Sequence, residues 1–243
     1  MFNDFRFAFR LLLKNPGFTA VAVLTLALGI GANTTMFTVV NAILLRPLPY
    51  PQPDRLVGIL EATRQQSPSV VAYPDFLDWQ QQTKGFAEMA AYQLAAFNLT
   101  GADEPERVRG MRTTANLFRT LGVKPALGRD FLDEEDEPGG RAVLLLSHRL
   151  WKRRFGADPA VVGRTVPLDG RGHVVVGVLP PGVVAFDLVS EEDEEAVVFV
   201  PLGPQKPRLM NRGLRDALFV KGRLKPGVTR AQAQAELDPP TLH

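Results

Sequence analysis

Apolar residues run almost unbroken from Phe18 to Leu45 (FTAVAVLTLALGIGANTTMFTVVNAILL), and residues 15–45 carry no charged side chain. At about 1.5 Å per helical residue this stretch reaches about 42 Å, more than a hydrocarbon core of about 30 Å requires. It predicts a transmembrane helix over 18–45. Ahead of it, Asn3, Arg6, Arg10 and Lys14 fall on one helical face and Phe2, Phe5, Phe9 and Leu12 on the opposite one. That is the pattern of an amphipathic interfacial helix over 1–17, with Pro16-Gly17 marking a bend before the bilayer. Polar Asn33-Thr34-Thr35 and small Gly29, Gly31 and Ala32 within the span suit packing against other membrane helices, or are simply tolerated there. A cleaved signal peptide, with Ile30 and Ala32 at the −3 and −1 positions, is the competing reading. The apolar run continues beyond that cut to Leu45, longer than a signal h-region.

Beyond the span, Pro47, Pro49, Pro51 and Pro53 end the helix. The pattern then alternates between strand and helix. Leu56 to Glu61, Met89 to Leu99 and Arg107 to Thr113 predict strands. Pro74 to Thr83 reads as a helix with Pro and Asp at its positive end, stopped by Lys84-Gly85. Ala115 to Leu121 reads as a short helix closed by Gly122. After a turn-rich acidic stretch at 128–140 come short apolar runs at 142–146, 164–168, 174–179 and 196–202, with a helix at 147–155 capped by Ser147. Asp169-Gly170-Arg171-Gly172 predicts a hairpin whose loop exceeds the two-residue minimum. Leu218 to Leu224 is a strand, Lys225-Pro226-Gly227 a turn, and Thr229 to Leu237 a helix capped by Thr229. The class is α+β. The change in character near 125–140 and the late return to strand and helix predict two lobes within 46–243. One comprises about 54–125 and 215–238, and the other, about 126–214, is inserted into it.

Composition narrows the chemistry. The 243 residues contain no cysteine, which excludes disulfides, thiolate metal sites and cysteine nucleophiles. The pI of 9.0 invites a nucleic-acid reading, but the excess charge is local. Arg6, Arg10 and Lys14 against Asp4 already supply the net +2; removing them from totals of 28 cations and 26 carboxylates leaves 25 of each. A duplex-binding surface needs a basic excess in the folded part, so nucleic acid is rejected as a partner. The same three cations beside the span place the N-terminus in the cytoplasm by the positive-inside rule, and the bulk of the chain outside the inner membrane.

No catalytic, cofactor-binding or metal-ligating residue can be nominated. A P-loop pattern is lacking, so the chain does not itself cradle the β- and γ-phosphates of ATP. His148, His173 and His243 lack metal-ligand spacing, and adjacent Ser147-His148 point about 100° apart on a helix, which disfavours a nucleophile–base pair. The acidic runs at Asp130 and Asp133–Glu137, and at Asp187 and Glu191–Glu195, lack EF-hand spacing and read as solvated loops. Trp79 and Trp151 read as core residues, and Asn98-Leu99-Thr100 as a sequon of little weight.

Several segments, in fixed order, resemble MacB-like ABC-transporter permeases, in particular the duplicated-permease subgroup. They are FRFAFRLLLKNPGFTAVAVLTLALGIGANTTMFTVVNAILLRPLPYP, YPDFLDW (73–79), AAFNLTG (95–101), ERVRGMRTTANLFRTLGVKPALGRDF (106–131), LSHRLWKRRFGADPAVVGRTVPLDG (146–170), VVGVLPPG (175–182) and GRLKPGVTRAQAQAEL (222–237). The resemblance implies one membrane helix feeding a periplasmic core of a porter-like lobe with a second lobe inserted. It implies a permease subunit of an exporter that passes ATP-driven motion outward. ATP hydrolysis would belong to a separate ATP-binding subunit or domain. Further implied partners are the lipid bilayer, other permease helices or a second permease copy, and a periplasmic adaptor protein. Family members continue into three further membrane helices, whereas this sequence stops at His243, the expectation for a truncated copy or a piece of a longer gene. The alternative function is a membrane-anchored, partner-binding extracytoplasmic module without transport.

Overall fold

The computed structural model describes residues 14–40, 50–62, 68–69, 71–101, 104–183, 197–211 and 218–237. The interfacial helix expected over 1–17 lies almost wholly outside them, as do the last residues of the expected span, His243 and the acidic run at 187–195. The chain divides into two compact units, Met1–Leu48 and Pro49–His243.

The first unit holds helix α1, Pro16–Val40. Pro16 opens it where a missing N–H costs nothing, and Asn15 O accepts from Thr19 N at 3.0 Å. Thr25, Thr34 and Thr35 turn their hydroxyls back to carbonyls four residues earlier at 2.8 Å each, so these three hydroxyls are satisfied within an apolar helix. Phe18, Leu24, Leu28, Ile30 and Phe37 are all more than 60% exposed, and the apolar window Pro16–Phe37 has none of its surface buried in protein. A core helix would bury one face. This one is apolar all round, long enough to cross a bilayer, and buries none.

The second unit is a mixed sheet covered by short helices. Its strands are β1 (Leu56–Ile59), β2 (Glu61–Ala62), β3 (Pro68–Ser69), β4 (Phe86–Leu99), β5 (Glu106–Thr113), β6 (Leu127–Gly128), β7 (Val143–Leu146), β8 (Thr165–Leu168), β9 (Arg171–Val178), β10 (Val197–Pro201) and β11 (Leu218–Leu224). Among the described residues nine form one sheet, ordered β1-β11-β4-β5-β10-β7-β9-β6 with β8 against β4 and β9; β2 and β3 form a separate ribbon. The helices are α2 (Tyr73–Gln82), α3 (Leu117–Leu121), α4 (His148–Phe155), α5 (Lys206–Leu209) and α6 (Arg230–Leu237). Parallel pairing occurs at β5–β10 and at β7–β9, the latter bridged by α4 as a parallel crossover requires.

Burial alternates along the central strands as a two-faced sheet demands. Leu145 of β7 and Phe199 of β10 join Phe118 and Leu121 of α3 in one core. Leu144, Leu146, Val198 and Val200 face the other way, against Leu150 of α4. A third core gathers Phe76 of α2, Leu209 of α5 and Ala233 of α6 over β11 and the start of β4. The 14-residue β4 contributes to every one of these cores: Tyr92 to the first, Phe97 and Leu99 to the second, Met89 and Ala91 to the third.

The predicted elements appear within three residues of their expected ends, with three corrections. The expected strand 56–61 breaks at Leu60 into β1 and β2. Helix α2 is ended not by Gly85 but by Thr83, whose extended backbone turns the chain while its N–H and hydroxyl both donate to Trp79 O. The hairpin between β8 and β9 has the minimal two-residue loop, since Leu168 pairs with Arg171. Asp169 (φ 49°) and Gly170 (φ 75°) take the left-handed conformations of a primed turn, and Arg171-Gly172 are already strand.

Candidate functional site: a clamped joint, a buried ion pair and an arginine-lined groove

The chain comes into the sheet at β1 and leaves it at β11, and these two strands are antiparallel neighbours, Leu56 opposite Arg223. Two arginines fasten the place where they meet. Arg55 donates from Nε and Nη2 to Leu224 O at 2.8 and 2.6 Å. Arg223 donates from Nε to Thr120 O at 2.6 Å and from Nη1 to Pro51 O at 3.0 Å, tying β11 to α3 and to the incoming segment. Its Nη2 is buried without a hydrogen-bond partner. Burial, then the neighbouring Arg55, hold the Arg223 pKa below its usual value. On the outgoing side the Glu236 carboxylate of α6 accepts from the backbone N–H groups of Lys84 and Gly85 at 2.7 and 2.8 Å. These hydrogen bonds are the first cause of its lowered pKa.

The stretch 130–137, expected as a solvated loop, is half structural. Asp133 and Glu134 are exposed, but Glu135 and Asp136 are only 4% and 5% exposed. Glu135 receives the Arg129 fork, Nη1 to Oε2 at 2.8 Å and Nη2 to Oε1 at 2.7 Å, and accepts the Leu132 N–H at 2.9 Å. Asp136 accepts Gly203 N at 2.7 Å and Ala115 N at 3.2 Å, with Lys206 Nζ 3.2 Å away. Burial pushes the Asp136 carboxyl up and Lys206 opposes that. Burial also works against the Lys206 ammonium, but Asp136 and Tyr73 hold its pKa above the usual lysine value. Gly203 must lack a side chain, because a Cβ would lie 2.5 Å from the Asp136 carbonyl carbon.

Asp130 has no such partner set. Burial pushes its carboxyl up to about 6, against the Phe131 N–H and the more distant Arg119 and Arg129. Its folded pKa exceeds the unfolded one, so ionised Asp130 opposes folding at neutral pH and stability rises as pH falls through 6 toward 4. Asp130→Asn is therefore expected to raise stability by about 1 kcal/mol at pH 8, after discounting for partial exposure, and by less at pH 5. Thermal melts of both proteins at the two pH values check this.

A shallow groove of about 510 Å³ opens beside the start of β5, lined by Ala96, Glu106, Arg107, Val108, Arg109, Arg149 and Arg153. Glu106 is paired with Arg153 and lies 3.6 Å from Arg154 Nη1. Arg107, Arg109, Arg149 and Arg153 are all exposed.

The residues singled out in the sequence serve the fold. Ser147 Oγ accepts from Leu150 N at 3.3 Å and Val197 N at 3.0 Å, capping α4 and anchoring β10. His148 rests edge-on against Trp151, ring centres 5.5 Å apart. His173 Nδ1 lies 2.9 Å from Arg171 O, and burial lowers its pKa. Trp79 packs against the third core and Trp151 against the second, with Trp151 Nε1 donating to Asp158 O. Asn98 of the sequon is held by Asp169 Oδ1 through its backbone N–H and its amide. Among the described residues no three His, Asp or Glu side chains gather as a metal site would.

The family model described as the MacB-like periplasmic core domain matches residues 19–239. The chain belongs to that family. Solved structures agree on the fold. The periplasmic region of MacB from Actinobacillus actinomycetemcomitans is 15% identical with TM-score 0.60, over 81% of this chain and 86% of that one. The extracellular domain of the noncanonic ABC-type transporter YknZ from Gram-positive bacteria is 15% identical with TM-score 0.54, over 74% and 88%. A domain of a protein assigned as a permease from Porphyromonas gingivalis is 18% identical with TM-score 0.54, over 74% and 79%. No curated protein matches the chain. The resemblance expected from the sequence segments is thus borne out, as is the α+β class with one N-terminal apolar helix ahead of a sheet-rich domain. The family is one of transporter permeases and not of classical enzymes.

Proposed function

We propose that this chain acts as the membrane-anchored core of the permease subunit of a MacB-like ABC exporter. ATP-driven motion reaches α1 from the cytoplasmic side and passes into the folded domain outside. In this reading the N-terminus lies in the cytoplasm and α1 crosses the inner membrane. A separate ATP-binding subunit or domain hydrolyses ATP. Other permease helices or a second copy pack on α1, and a periplasmic adaptor is a further partner. The observation that carries the reading is the clamped joint: incoming and outgoing segments meet at β1–β11, tied by Arg55, Arg223 and Glu236. A displacement of either segment is handed to the whole sheet instead of being absorbed in a loop. In the same reading the domain has two lobes, about 54–125 with 215–238 as the porter-like lobe and about 126–214 as the lobe inserted into it.

Reporters fused after Lys14 and after Asp54 test the topology, with a cytoplasmic signal expected only at Lys14. A cytoplasmic signal at Asp54 would overturn it. Coupling is tested by co-expressing the chain with a candidate ATP-binding subunit from the same genome. Co-purification and a nucleotide-dependent change in limited proteolysis of the domain are expected, with the change lost in Arg55→Ala/Arg223→Ala. Co-purification without any nucleotide-dependent change in the native chain would favour the second reading, an anchored module that binds a partner. The arginine-lined groove is the observation on that side.

A further inference from the structure

Arg223 of β11 and Glu88 of β4 stand directly opposite each other on antiparallel strands. Side chains so placed share a face, with Cβ atoms about 4.5–5.5 Å apart, which suits a cross-strand ion pair. No such pair forms. Glu88 is held instead from α3, by Arg119 Nε to Oε1 at 2.7 Å and by the Thr120 hydroxyl to Oε2 at 3.2 Å. Arg223 gives its Nε to Thr120 O at 2.6 Å and keeps Nη2 buried with nothing to donate to. Nε and Nη2 form one edge of a guanidinium, an edge that can take a carboxylate through two parallel hydrogen bonds. A fork and the carboxylate opposite it are thus kept apart by two residues of one short helix.

Each group that would change partners has a second one within reach. Arg119 Nη2 already lies 3.8 Å from Asp133, and Asp130 also attracts its charge. The Thr120 hydroxyl can turn back to the Asn116 carbonyl, four residues earlier, which the Thr120 N–H already meets at 2.8 Å. The unmatched, buried Nη2 disfavours the present arrangement, and the packing of α3 against the sheet favours it. We propose that Glu88 is the moving part of a two-position ion-pair switch, held by Arg119 and Thr120 in one position and by the Nε–Nη2 edge of Arg223 in the other. In the first position α3 is bound to the joint through both Glu88 and Arg223. In the second, Thr120 O has lost its donor, and α3 rests on its apolar anchors, Leu117, Phe118 and Leu121. Arg223 Nη1 still holds Pro51 O, so the incoming segment stays on the sheet while the helix is let go. Because α3 carries Phe118 onto Phe131 and Phe199, the switch decides whether a displacement at the joint reaches that core. This consequence rests on the reading of the joint as a path for motion; the exchange of partners does not.

The test uses the full chain in detergent micelles, with urea unfolding of the domain followed by the fluorescence of Trp79 and Trp151. The coupling between Glu88→Gln and Arg223→Met is measured in the native background and with Arg119→Met, which removes the competing cation. It should change the unfolding equilibrium constant by less than about threefold in the native background and by about tenfold or more with Arg119→Met. Arg119→Lys, which keeps the charge, should return it toward the native value. The NMR signal of the Arg223 Nε–H, assigned by its loss in Arg223→Lys, serves where a variant unfolds too readily for the cycle. With Arg119→Met that signal should move, and adding Glu88→Gln should send it back. A coupling equal in the two backgrounds, or an Arg223 signal indifferent to Arg119→Met, overturns the switch. Neither measurement involves nucleotide, so failure here leaves the proposed ATP coupling untouched, and failure of that coupling leaves the exchange standing.

Discussion

Lys206→Met is expected to destabilise the domain of residues 49–243 by about 3–5 kcal/mol. The substitution keeps the length of the side chain but removes the cation 3.2 Å from Asp136, whose side chain is only 7% exposed. Burial already pushes the Asp136 carboxyl upward, and Lys206 is the charge that opposes it. Without Lys206 the carboxylate keeps two backbone N–H donors but no counter-charge. Asp136→Asn/Lys206→Met should recover part of the loss, because the amide carries no charge to leave unpaired and its one oxygen still accepts from Gly203, at the expense of the Ala115 N–H, which loses its acceptor. Denaturant unfolding followed by the fluorescence of Trp79 and Trp151, both inside the domain, reads each step of this cycle. A loss within about 1 kcal/mol for the single variant would place Lys206 among ordinary surface pairs.

Phe118→Ala should cost a similar amount, about 3–5 kcal/mol. Phe118 is fully buried, meets Phe199 edge-on at 5.1 Å between ring centres and lies 6.4 Å from Phe131. Its helix, α3, has only five residues, far too short to hold itself by backbone hydrogen bonds alone. The anchors are Leu117, Phe118 and Leu121, so hydrogen exchange at 117–121 should accelerate more than exchange in β7. Leu94→Ala, at a site 49% exposed on β4, serves as the control and should change stability by no more than about 0.5 kcal/mol.

What could be read from residue order, and what could not, divides by the range of the forces involved. The continuous apolar run of α1, the four consecutive apolar residues of β7, the Ser147 and Thr229 caps and the left-handed Gly122 after α3 are local events, and local pattern reveals them. The hairpin loop is two residues shorter than the pattern predicts, because Asp169 and Arg171 are equally acceptable as loop residues until the register Leu168–Arg171 is known. Burial of Asp136 could not be read at all, since its cation lies seventy positions on, at Lys206, behind another strand. The groove is hidden for the same reason: the stretches of β5 and α4 that line it look like separate solvated faces until the fold sets the two elements side by side. The nearest local signal was the arginine pair at helical spacing, Arg149 and Arg153.

The direction of the β1–β11 pair sets how the domain answers to load. Leu56, where the chain begins β1, and Leu224, where it leaves β11, sit at the same end of two antiparallel strands. Separating those points would peel the ladder one rung at a time, the weakest way to stress a sheet. Drawing both points in one direction loads every rung in parallel. The architecture is therefore compliant toward prying and stiff toward towing, which suits a body hauled to and fro and not one stretched like a spring.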